Sequence, residues 1–377
     1  MNREPEDNAT ASKPRRRGPL RLGFSTGAAA AAAAQAALRE LLGLPCPEQV
    51  FVPLPNGEML PIALRAHGRL GSSGQAEVIK DAGDDPDVTH GEVIGVRAGW
   101  LNSGGGKEVI VIAGGEGVGR VTRPGLPVAV GEPAVNPTPR RMLRQSLHLA
   151  WDEAQRPGPL RIGVEVYVPR GEDLARRTLN PRLGILGGIS ILGTTGLVKP
   201  FSHDAYRATI LASLRVAMAM GLDRVVFSTG GKSEGFMQAR LNDWPPEAFV
   251  QMGDYVRFAL KVAARLGFNH IRVAAFFGKA VKIAQGLGHT HASRGMVDLR
   301  FLGRLTGELC GDAALARDIA QANTARQALE MLTLARAGAV VAAVGQKMLA
   351  ALQGHAGPGA SVAATIMDFD GAVLWQA

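Results

Sequence analysis

Cysteine is scarce in this chain of 377 residues, which contains only Cys46 and Cys310. The two lie far apart and in unrelated surroundings. The sequence therefore offers neither a disulfide framework nor the clustered thiolates of a zinc or iron–sulfur site. Such scarcity is typical of proteins kept in a reducing cytoplasm, and we expect a cytoplasmic protein.

Aromatic residues and long apolar runs are scarce as well. Aromatics make up 5% of the chain and are not interleaved with basic runs, so a stacking platform for single-stranded nucleic acid is not expected. No run reaches the roughly 18 strongly apolar residues of a membrane-spanning helix. The alanine run after the basic start is predicted to be a helix, not an export signal, because Ser25 or Thr26 can cap it and Gly43 can end it. We expect no nucleic acid and no membrane among the partners.

Glycine and basic residues are abundant. The chain holds 48 glycines and a net charge of +9. Many glycines imply tight turns and places where the backbone approaches another group closely. The basic balance favours an anionic partner, such as a phosphorylated ligand or a polycarboxylate. The length is sufficient for two domains, each with its own core.

The first half of the chain reads as α+β. Residues 1–17 are polar and basic and predict a disordered leader. Residues 18–186 predict an α+β domain with mostly antiparallel strands. The stretch "QVFVPLPNGEMLPIALRA" is a hairpin turning at Asn56-Gly57, and a helix near 137–154 opens with proline in its first turn.

The second half reads as α/β. Residues 187–377 predict a Rossmann-like domain with a parallel sheet, because "GGISILGTTG", "DRVVFSTGG" and "HIRVAAFFGK" are apolar runs that each end in small residues before helical sequence. The helical sequence after the second run is expected to extend to about Gly267. Residues 299–353 predict further helices, and the tail a hairpin turning at Asp370-Gly371.

The segment "VIKDAGDDPDVTHG", residues 78–91, concentrates aspartates. Its spacing lacks the alternation and the terminal glutamate of an EF-hand. Two interpretations remain open. The aspartates cap their own turn, or they form a functional acid cluster in which neighbouring carboxylates raise one another's pKa toward that of a useful base.

Two glycine-rich segments resemble nucleotide motifs without matching them. "AGGEGVGRVTRPG", residues 113–125, has the wrong glycine spacing and a proline where a helix is required. It is either a flexible turn or a surface for a flat ligand, with Arg120 and Arg123 reaching acidic groups beside it. "FSTGGKSEG", residues 227–235, is not a P-loop, because Val226 stands where the motif needs glycine.

The loops that follow the predicted parallel strands are candidates for ligand binding, since ligands of open α/β sheets bind at the carboxyl ends of the strands. Each is either a plain turn or a set of donors aimed at a small anionic group. The residues concerned are Gly193, Thr194, Thr195, Thr229, Gly230, Gly231, Gly278 and Lys279. The pair His289 and His291 is read as a ligand-lining or structural loop, because two histidines alone do not make a zinc site.

Several long motifs occur in one order. They are the acidic segment, "GGEGVGRVTRPGLPVAVGEPAVNPTPRRM", "TLNPRLGILGGISILGTTGLVKP" and "AFVQMGDY". Together they closely resemble the CbiD family, the cobalt-precorrin-5B C(1)-methyltransferases of anaerobic cobalamin biosynthesis. The resemblance runs from about Leu20 to the closing "MDFDGAVL".

The resemblance implies methyl transfer from S-adenosylmethionine to C1 of cobalt-precorrin-5B, giving cobalt-precorrin-6A. It also implies an α+β domain joined to a Rossmann-like one. The cobalt arrives with the corrinoid substrate, so the reaction requires no metal held by the protein. The alternatives are a nucleotide-dependent oxidoreductase and a non-catalytic corrinoid-binding protein, and a homo-oligomer is compatible with the sequence.

A site hypothesis follows from this resemblance. The proton lost during methylation needs an acceptor, for which we select Asp84, with Asp81 and His90 beside it. The macrocycle and its carboxylate arms are expected to contact Asp85, Gly115, Gly117, Arg120, Arg123 and Arg140. S-adenosylmethionine is expected in the loops after residues 193, 229 and 277.

Two departures from the family pattern bear on this hypothesis. Relatives usually read Thr-Thr-Gly-Thr-Cys near the first helix, whereas this chain reads Ser25-Thr26-Gly27-Ala28-Ala29. Any role of that cysteine is therefore absent here. Relatives also tend to carry an Asn-Arg-Gly-Glu-like loop where this chain reads "GGKSEG".

Overall fold

The structure is a computed structural model that describes residues 19–101, 106–291 and 295–377. The predicted leader, residues 1–17, lies outside the described residues. The described helices are α1 (Thr26–Leu42), α2 (Pro137–Glu153), α3 (Gly171–Ala175), α4 (His203–Ala219), α5 (Gly231–Arg240), α6 (Val256–Leu266), α7 (Phe277–Ala284), α8 (Leu299–Cys310), α9 (Ala313–Ala320), α10 (Ala325–Leu334) and α11 (Gly338–Ala356).

The described strands are mostly short. They are β1 (Gly23–Phe24), β2 (Gln49–Pro53), β3 (Met59–Ala63), β4 (Ala66–Leu70), β5 (Ser73–Ile79), β6 (Val93–Trp100), β7 (Val109–Gly114), β8 (Arg120–Val121), β9 (Arg161–Tyr167), β10 (Ile185–Leu186), β11 (Leu197–Val198), β12 (Arg224–Ser228), β13 (Phe249–Gln251), β14 (His270–Phe276), β15 (Ser361–Met367) and β16 (Val373–Gln376). The fold is mixed α and β, as the sequence predicts.

Helix α1 is the centre of the first core. Ser25 caps it by accepting a hydrogen bond from the Ala28 N–H, and Gly43 ends it in a left-handed conformation with φ +74°. Its alanine side chains are fully buried between α2 and the sheet. Small side chains let the neighbouring backbone come close. A Cβ on Gly74 of β5 would lie 2.0 Å from the Ala37 carbonyl oxygen.

The first sheet has the strand order β4-β5-β6-β9-β7. Its pairs are antiparallel except for β7 with β9, which agrees with the mostly antiparallel prediction. Strands β2 and β3 form the predicted hairpin, and Gly57 in its turn has φ +88°. The prediction that "GGISILGTTG", residues 187–196, is a strand of the second, parallel sheet is wrong, because Ile189 and Ile191 pack in the first core and bridge Val118 and Val135. These isoleucines lie beyond the domain boundary predicted after residue 186. That boundary stays a prediction.

The second sheet has the order β13-β12-β14-β15-β16. The first four strands are parallel, and β16 closes the edge as the antiparallel partner of β15. A second core, formed with α4, α6, α7 and α11, covers the sheet. The carboxyl ends of β12, β13 and β14 therefore meet at one edge. No helix of the described residues is both long and apolar enough to span a membrane.

The sequence interpretation missed β13. It expected helical sequence from the 230s to about Gly267, whereas a 3-10 turn, Pro246–Ala248, leads into a strand at Phe249–Gln251. Pro245 and Pro246 interrupt the helix, and the strand has three residues, too few to show a period. This correction matters because the residues after β13 belong to the candidate site.

Candidate active site

Arg21 organises the acidic segment. Both terminal nitrogens of its guanidinium donate to the Asp81 carboxylate, the Nη2 bond being 2.9 Å long, and its backbone N–H donates to Asp84 Oδ2 at 2.8 Å. The Gly83 N–H donates to the same Asp81 carboxylate at 2.9 Å. The hydrogen bonds from Arg21 hold the pKa of Asp81 below its usual value.

Asp87 faces a second cation. Its carboxylate lies 2.8 Å from Nζ of Lys80, which is 1% exposed, and accepts hydrogen bonds from Thr89. Burial opposes ionisation of Asp87, but the charge of Lys80 and these hydrogen bonds outweigh it, so the pKa is lowered. The hypothesis that neighbouring carboxylates raise one another's pKa is therefore wrong for Asp81 and Asp87, because each is paired with a cation.

His90 is part of the turn. Its Nδ1 accepts a hydrogen bond from the Ala82 N–H at 3.0 Å and lies 3.7 Å from Asp81 Oδ1. A ring nitrogen that accepts from a backbone N–H carries no proton, so the neutral ring carries its hydrogen on Nε2. The half-exposed ring thus presents a donor to solvent while its other nitrogen holds the turn.

The loop at residues 193–195 closes over the start of α1. Thr26 Oγ1 accepts from the Leu192 N–H at 2.9 Å. Gly193 has φ +131°, and a Cβ there would lie 2.3 Å from the Ser25 side chain. Thr194 and Thr195 are exposed, and Thr195 Oγ1 bonds the backbone of Leu197 in its own turn. These three predicted ligand contacts thus lie near the acidic segment. The Asp81 carbonyl of that segment accepts a hydrogen bond from the N–H of Phe24, the residue of β1 that precedes Ser25.

Phe201 to His203 connect this region with the second sheet. Asp85 Oδ1 accepts from the Phe201 N–H at 2.9 Å. Phe201 has φ +54° and is 68% exposed. Two residues later His203, the first residue of α4, bonds the Tyr255 hydroxyl through Nδ1. One short segment therefore links the acidic turn to the residues that follow β13.

Residues after β12, β13 and β14 meet at the carboxyl edge of the parallel sheet. Nζ of Lys279 lies 3.1 Å from Asp254 Oδ1 and donates to the Thr229 carbonyl at 3.3 Å. The Thr290 hydroxyl donates to Asp254 at 2.7 Å. Burial opposes ionisation of Asp254, but Thr290 and Lys279 outweigh it, and its pKa lies below the usual value. The structure thus brings together Thr229 and Lys279, which sequence analysis proposed separately.

Aromatic and histidine rings form a wall beside this edge. Tyr206 stacks on Tyr255 with ring centroids 5.1 Å apart, and His289 meets the Tyr255 ring edge-on at 4.8 Å. His203 and His291 lie 5.9 and 6.3 Å from the ring of His289. The histidine loop predicted to be ligand-lining or structural is therefore part of this wall.

The glycines proposed as ligand contacts differ in their surroundings. A Cβ built on Gly230 meets no atom within 4 Å, and one on Gly231 meets only Gln251 Nε2, at 3.7 Å. On Gly117, with φ +68°, it would lie 1.9 Å from the Val168 carbonyl oxygen, and on Gly115 2.8 Å from Glu165. The Val168 backbone thus requires glycine at 117, at 115 the partly exposed Glu165 side chain would have to move, and space is open beside 230 and 231. A Cβ added at Gly278 would lie 3.3 Å from the Ala325 side chain of α10.

The arginines proposed for the carboxylate arms have protein partners. Arg120 donates to the Gly131 carbonyl. Arg140 donates to Val135 at 2.8 Å and to Glu132, beside a cavity of about 340 Å³. Arg123 pairs with Glu247, whose side chain is 4% exposed. A substrate carboxylate at Arg123 would have to compete with this buried carboxylate.

Sequence analysis missed a second ionic contact at the same sheet. Arg182 donates to both oxygens of Glu234, at the start of α5, and to the Phe249 carbonyl at 3.0 Å. Gln251 Nε2 donates to Glu234 Oε2 at 2.8 Å. Arg182 lay within a quoted motif, but its partners are 52 and 67 residues away, so local spacing gave no signal.

Comparison with known proteins identifies the family. Residues 13–200 match the family model described as CbiD, and residues 289–377 match that of the CbiD C-terminal domain. The cobalt-precorrin-5B C(1)-methyltransferase of Geobacillus kaustophilus (strain HTA426) is 42% identical over 360 residues, covering 95% of each chain. The chain belongs to the CbiD family. The resemblance stated from the motifs is confirmed.

A second relative agrees. The cobalt-precorrin-5B C(1)-methyltransferase of Nitratidesulfovibrio vulgaris is 44% identical over 374 residues, covering 96% of this CbiD chain and 94% of its own. A crystal structure of the cobalamin biosynthesis protein (cbiD) from Archaeoglobus fulgidus is 29% identical with a TM-score of 0.39, covering 69% of this chain and 78% of that one.

In this CbiD chain the contacts form one path. It runs from Arg21 and the acidic segment through Asp85 and Phe201 to His203 and Tyr255, and Asp254, the residue before Tyr255, contacts Lys279. The path ends at the open glycines after β12. The candidate active site lies along it.

Proposed function

We propose that this CbiD protein methylates C1 of cobalt-precorrin-5B with S-adenosylmethionine, giving cobalt-precorrin-6A in cobalamin biosynthesis. The observation that carries the proposal is the identity of 42–44% over nearly the full chain to proteins named cobalt-precorrin-5B C(1)-methyltransferase. A cytoplasmic location and a Rossmann-like unit within residues 187–377 belong to the same proposal.

The chemistry sets two requirements. A ring carbon attacks the sulfonium methyl in line, so that the new carbon–carbon bond forms as the sulfur–carbon bond breaks and S-adenosylhomocysteine leaves. The methylated ring then loses a proton to an acceptor. The protein must hold two ligands in near-attack geometry and supply that acceptor.

S-adenosylmethionine is placed at the carboxyl edge of the parallel sheet. The open space beside Gly230 and Gly231 admits a ligand, and the first N–H groups of α5 can receive its carboxylate. Lys279 and Thr229 adjoin this space. The aromatic wall around Tyr255 gives the flat adenine a surface to contact.

The corrinoid is placed against the acidic segment and Phe201. Phe201 exposes its ring, and Leu20 and Leu22 nearby are 44% and 53% exposed. A flat macrocycle has the apolar faces to cover them. Asp84 is kept as the proton acceptor: its Oδ2 accepts a hydrogen bond from the Arg21 backbone N–H, whereas the carboxylates of Asp81 and Asp87 pair with the charged side chains of Arg21 and Lys80.

Binding of S-adenosylhomocysteine tests the donor site. It should raise the thermal midpoint of the wild-type protein, whereas NADPH should not. Gly230→Val should abolish this rise without loss of stability, because Gly230 has an extended backbone with φ 169° and space around its Cβ position. Gly235→Val, on the same helix and also without neighbours within 4 Å, is the matched control that should keep binding.

Two outcomes would reject the proposal. A shift with NADPH and none with S-adenosylhomocysteine would favour an oxidoreductase. Binding that survives in Gly230→Val would place the methyl donor elsewhere in the molecule.

A further inference from the structure

Glu40, Cys46 and His67 come together at the carboxyl end of α1. One ligand atom from each, a carboxylate oxygen, Sγ and a ring nitrogen, lies within 4.8 Å of the others. His67 Nδ1 is 2.6 Å from Glu40 Oε1. The three residues belong to a helix, the loop after it and the edge strand β4, so their approach is a result of the fold.

The fold holds these side chains in place. Arg39, which is 9% exposed, donates from Nε to the Pro45 carbonyl at 3.0 Å and pairs with Glu153 of α2. This contact fixes the loop that carries Cys46. His67 is fixed by the pairing of β4 with β5, where it lies opposite Ala76. A site whose donors are already positioned binds a ligand with little cost of ordering.

We infer that Glu40, Cys46 and His67 bind a zinc ion, with water as the fourth ligand. Zinc accepts sulfur, nitrogen and oxygen donors in tetrahedral geometry. On binding, the thiol releases its proton to solvent, the hydrogen that His67 Nδ1 donates to Glu40 moves to Nε2, and Nδ1 and the Glu40 carboxylate bond the ion instead. One thiolate and one carboxylate balance the charge of the ion, and the partly exposed side chains leave the fourth position open to water.

The zinc site is separate from methyl transfer. Its ligands lie at the far end of α1 from Ser25, and a helix of 17 residues is about 25 Å long. The ion would join α1 to β4, an edge strand of the first sheet. The inference therefore concerns stability, and it stands or falls independently of the proposed function.

Cobalt(II) titration of the full, chelator-treated chain tests the site, because a thiolate bound to this ion gives a charge-transfer band in the near ultraviolet. Wild type should bind one equivalent with this band and show a raised thermal midpoint, and zinc should displace the cobalt. Cys46→Ser should lose the band, and His67→Gln should bind at least about tenfold more weakly. Cys310→Ser, which removes the exposed cysteine, should behave as wild type.

Four outcomes would overturn the inference. The first three are a dissociation constant for zinc weaker than about 1 mM, a band retained in Cys46→Ser, and a band lost in Cys310→Ser. Circular dichroism of each apo variant separates a lost ligand from a lost fold. A folded Cys46→Ser that binds zinc as tightly as wild type also contradicts the site.

Discussion

Lys80 is among the largest fully buried side chains of the described residues, and a buried ammonium group requires a partner. Asp87 supplies it, and its carboxylate is 26% exposed. The pair therefore connects a turn at the surface to the first core. Asp81 and Asp87 also cap their own turn by accepting from the Gly83 and Thr89 N–H groups, which is the self-capping alternative left open by the sequence.

Asp87→Ala should lower the free energy of unfolding by about 3 kcal/mol, the low end for breaking a buried pair. The folded-state pKa of Asp87 lies below its unfolded value of about 3.9. Its contribution is thus fully present at neutral pH and is lost as the pH falls below about 4. Urea denaturation at pH 7 and pH 3 should show the difference from wild type shrinking at pH 3. Asp243→Asn, at an exposed aspartate, should leave the free energy of unfolding equal to that of wild type at both pH values.

Asp84→Asn should abolish methylation without unfolding the protein, because the amide keeps the shape of the side chain but cannot accept a proton. The mass of the corrinoid product measures the reaction, and circular dichroism measures the fold. Asp204→Asn, whose carboxyl is 92% exposed on α4, is the control. Full activity in a folded Asp84→Asn protein would remove Asp84 from the role of proton acceptor.

Chemistry at the residue scale was only partly predictable from sequence. The acidic segment stood out because its aspartates are adjacent, but Arg21, their cation, lies 60 residues away. Cys46 gave no signal because Glu40 and His67 reach it only through folding. Burial, with Glu40 adding to it, raises the pKa of the Cys46 thiol to about 11, so the thiol without a bound metal is no nucleophile at neutral pH.

At the scale of elements, the close contact of α1 with β5 depends on glycine. Gly74→Ala would place its Cβ 2.0 Å from the Ala37 carbonyl oxygen. The helix and strand must separate, at a cost of about 1–3 kcal/mol. Gly68→Ala, on the neighbouring strand β4 with no atom within 4 Å, is the control. Thermal unfolding should show a lower midpoint for Gly74→Ala alone, and equal midpoints would contradict this account of the packing.

Elements with strong local signals were predictable. The alanine run with its cap and terminal glycine predicted α1, and Asn56-Gly57 predicted the β2–β3 hairpin. Strand β13 was not predictable, because pairing with β12 stabilises its three residues more than any pattern of their own. Site residues were sought in the loops that follow predicted strands. Because β13 was not predicted, Asp254 and Tyr255 were left out of the predicted site.

At the scale of the whole molecule, two ion pairs join the first half of the chain to the second sheet. Arg123 contacts Glu247 and Arg182 contacts Glu234, and both glutamates are nearly buried. The Arg123 guanidinium also donates to the Arg182 carbonyl at 2.9 Å, so the two links support each other. They hold the start of α5, and with it the open glycines, against the first half.

Arg182→Ala should leave the buried Glu234 with Gln251 as its remaining described partner. We expect the free energy of unfolding to fall by about 3 kcal/mol and binding of S-adenosylhomocysteine to weaken, because α5 begins at Gly231. Arg176→Ala, a 72% exposed arginine with ion pairs of 3.8 and 3.9 Å, should change stability by less than about 0.5 kcal/mol. Equal effects of the two variants would contradict the link.

Methyl transfer to C1 is tested by the product of a single reaction. The purified protein is incubated anaerobically with cobalt-precorrin-5B and S-adenosylmethionine carrying a ¹³C-labelled methyl. We expect a corrinoid that has gained one labelled methyl on C1, with one S-adenosylhomocysteine formed for each. A folded protein that binds S-adenosylhomocysteine but leaves the corrinoid mass unchanged, or methylates another carbon, would contradict it.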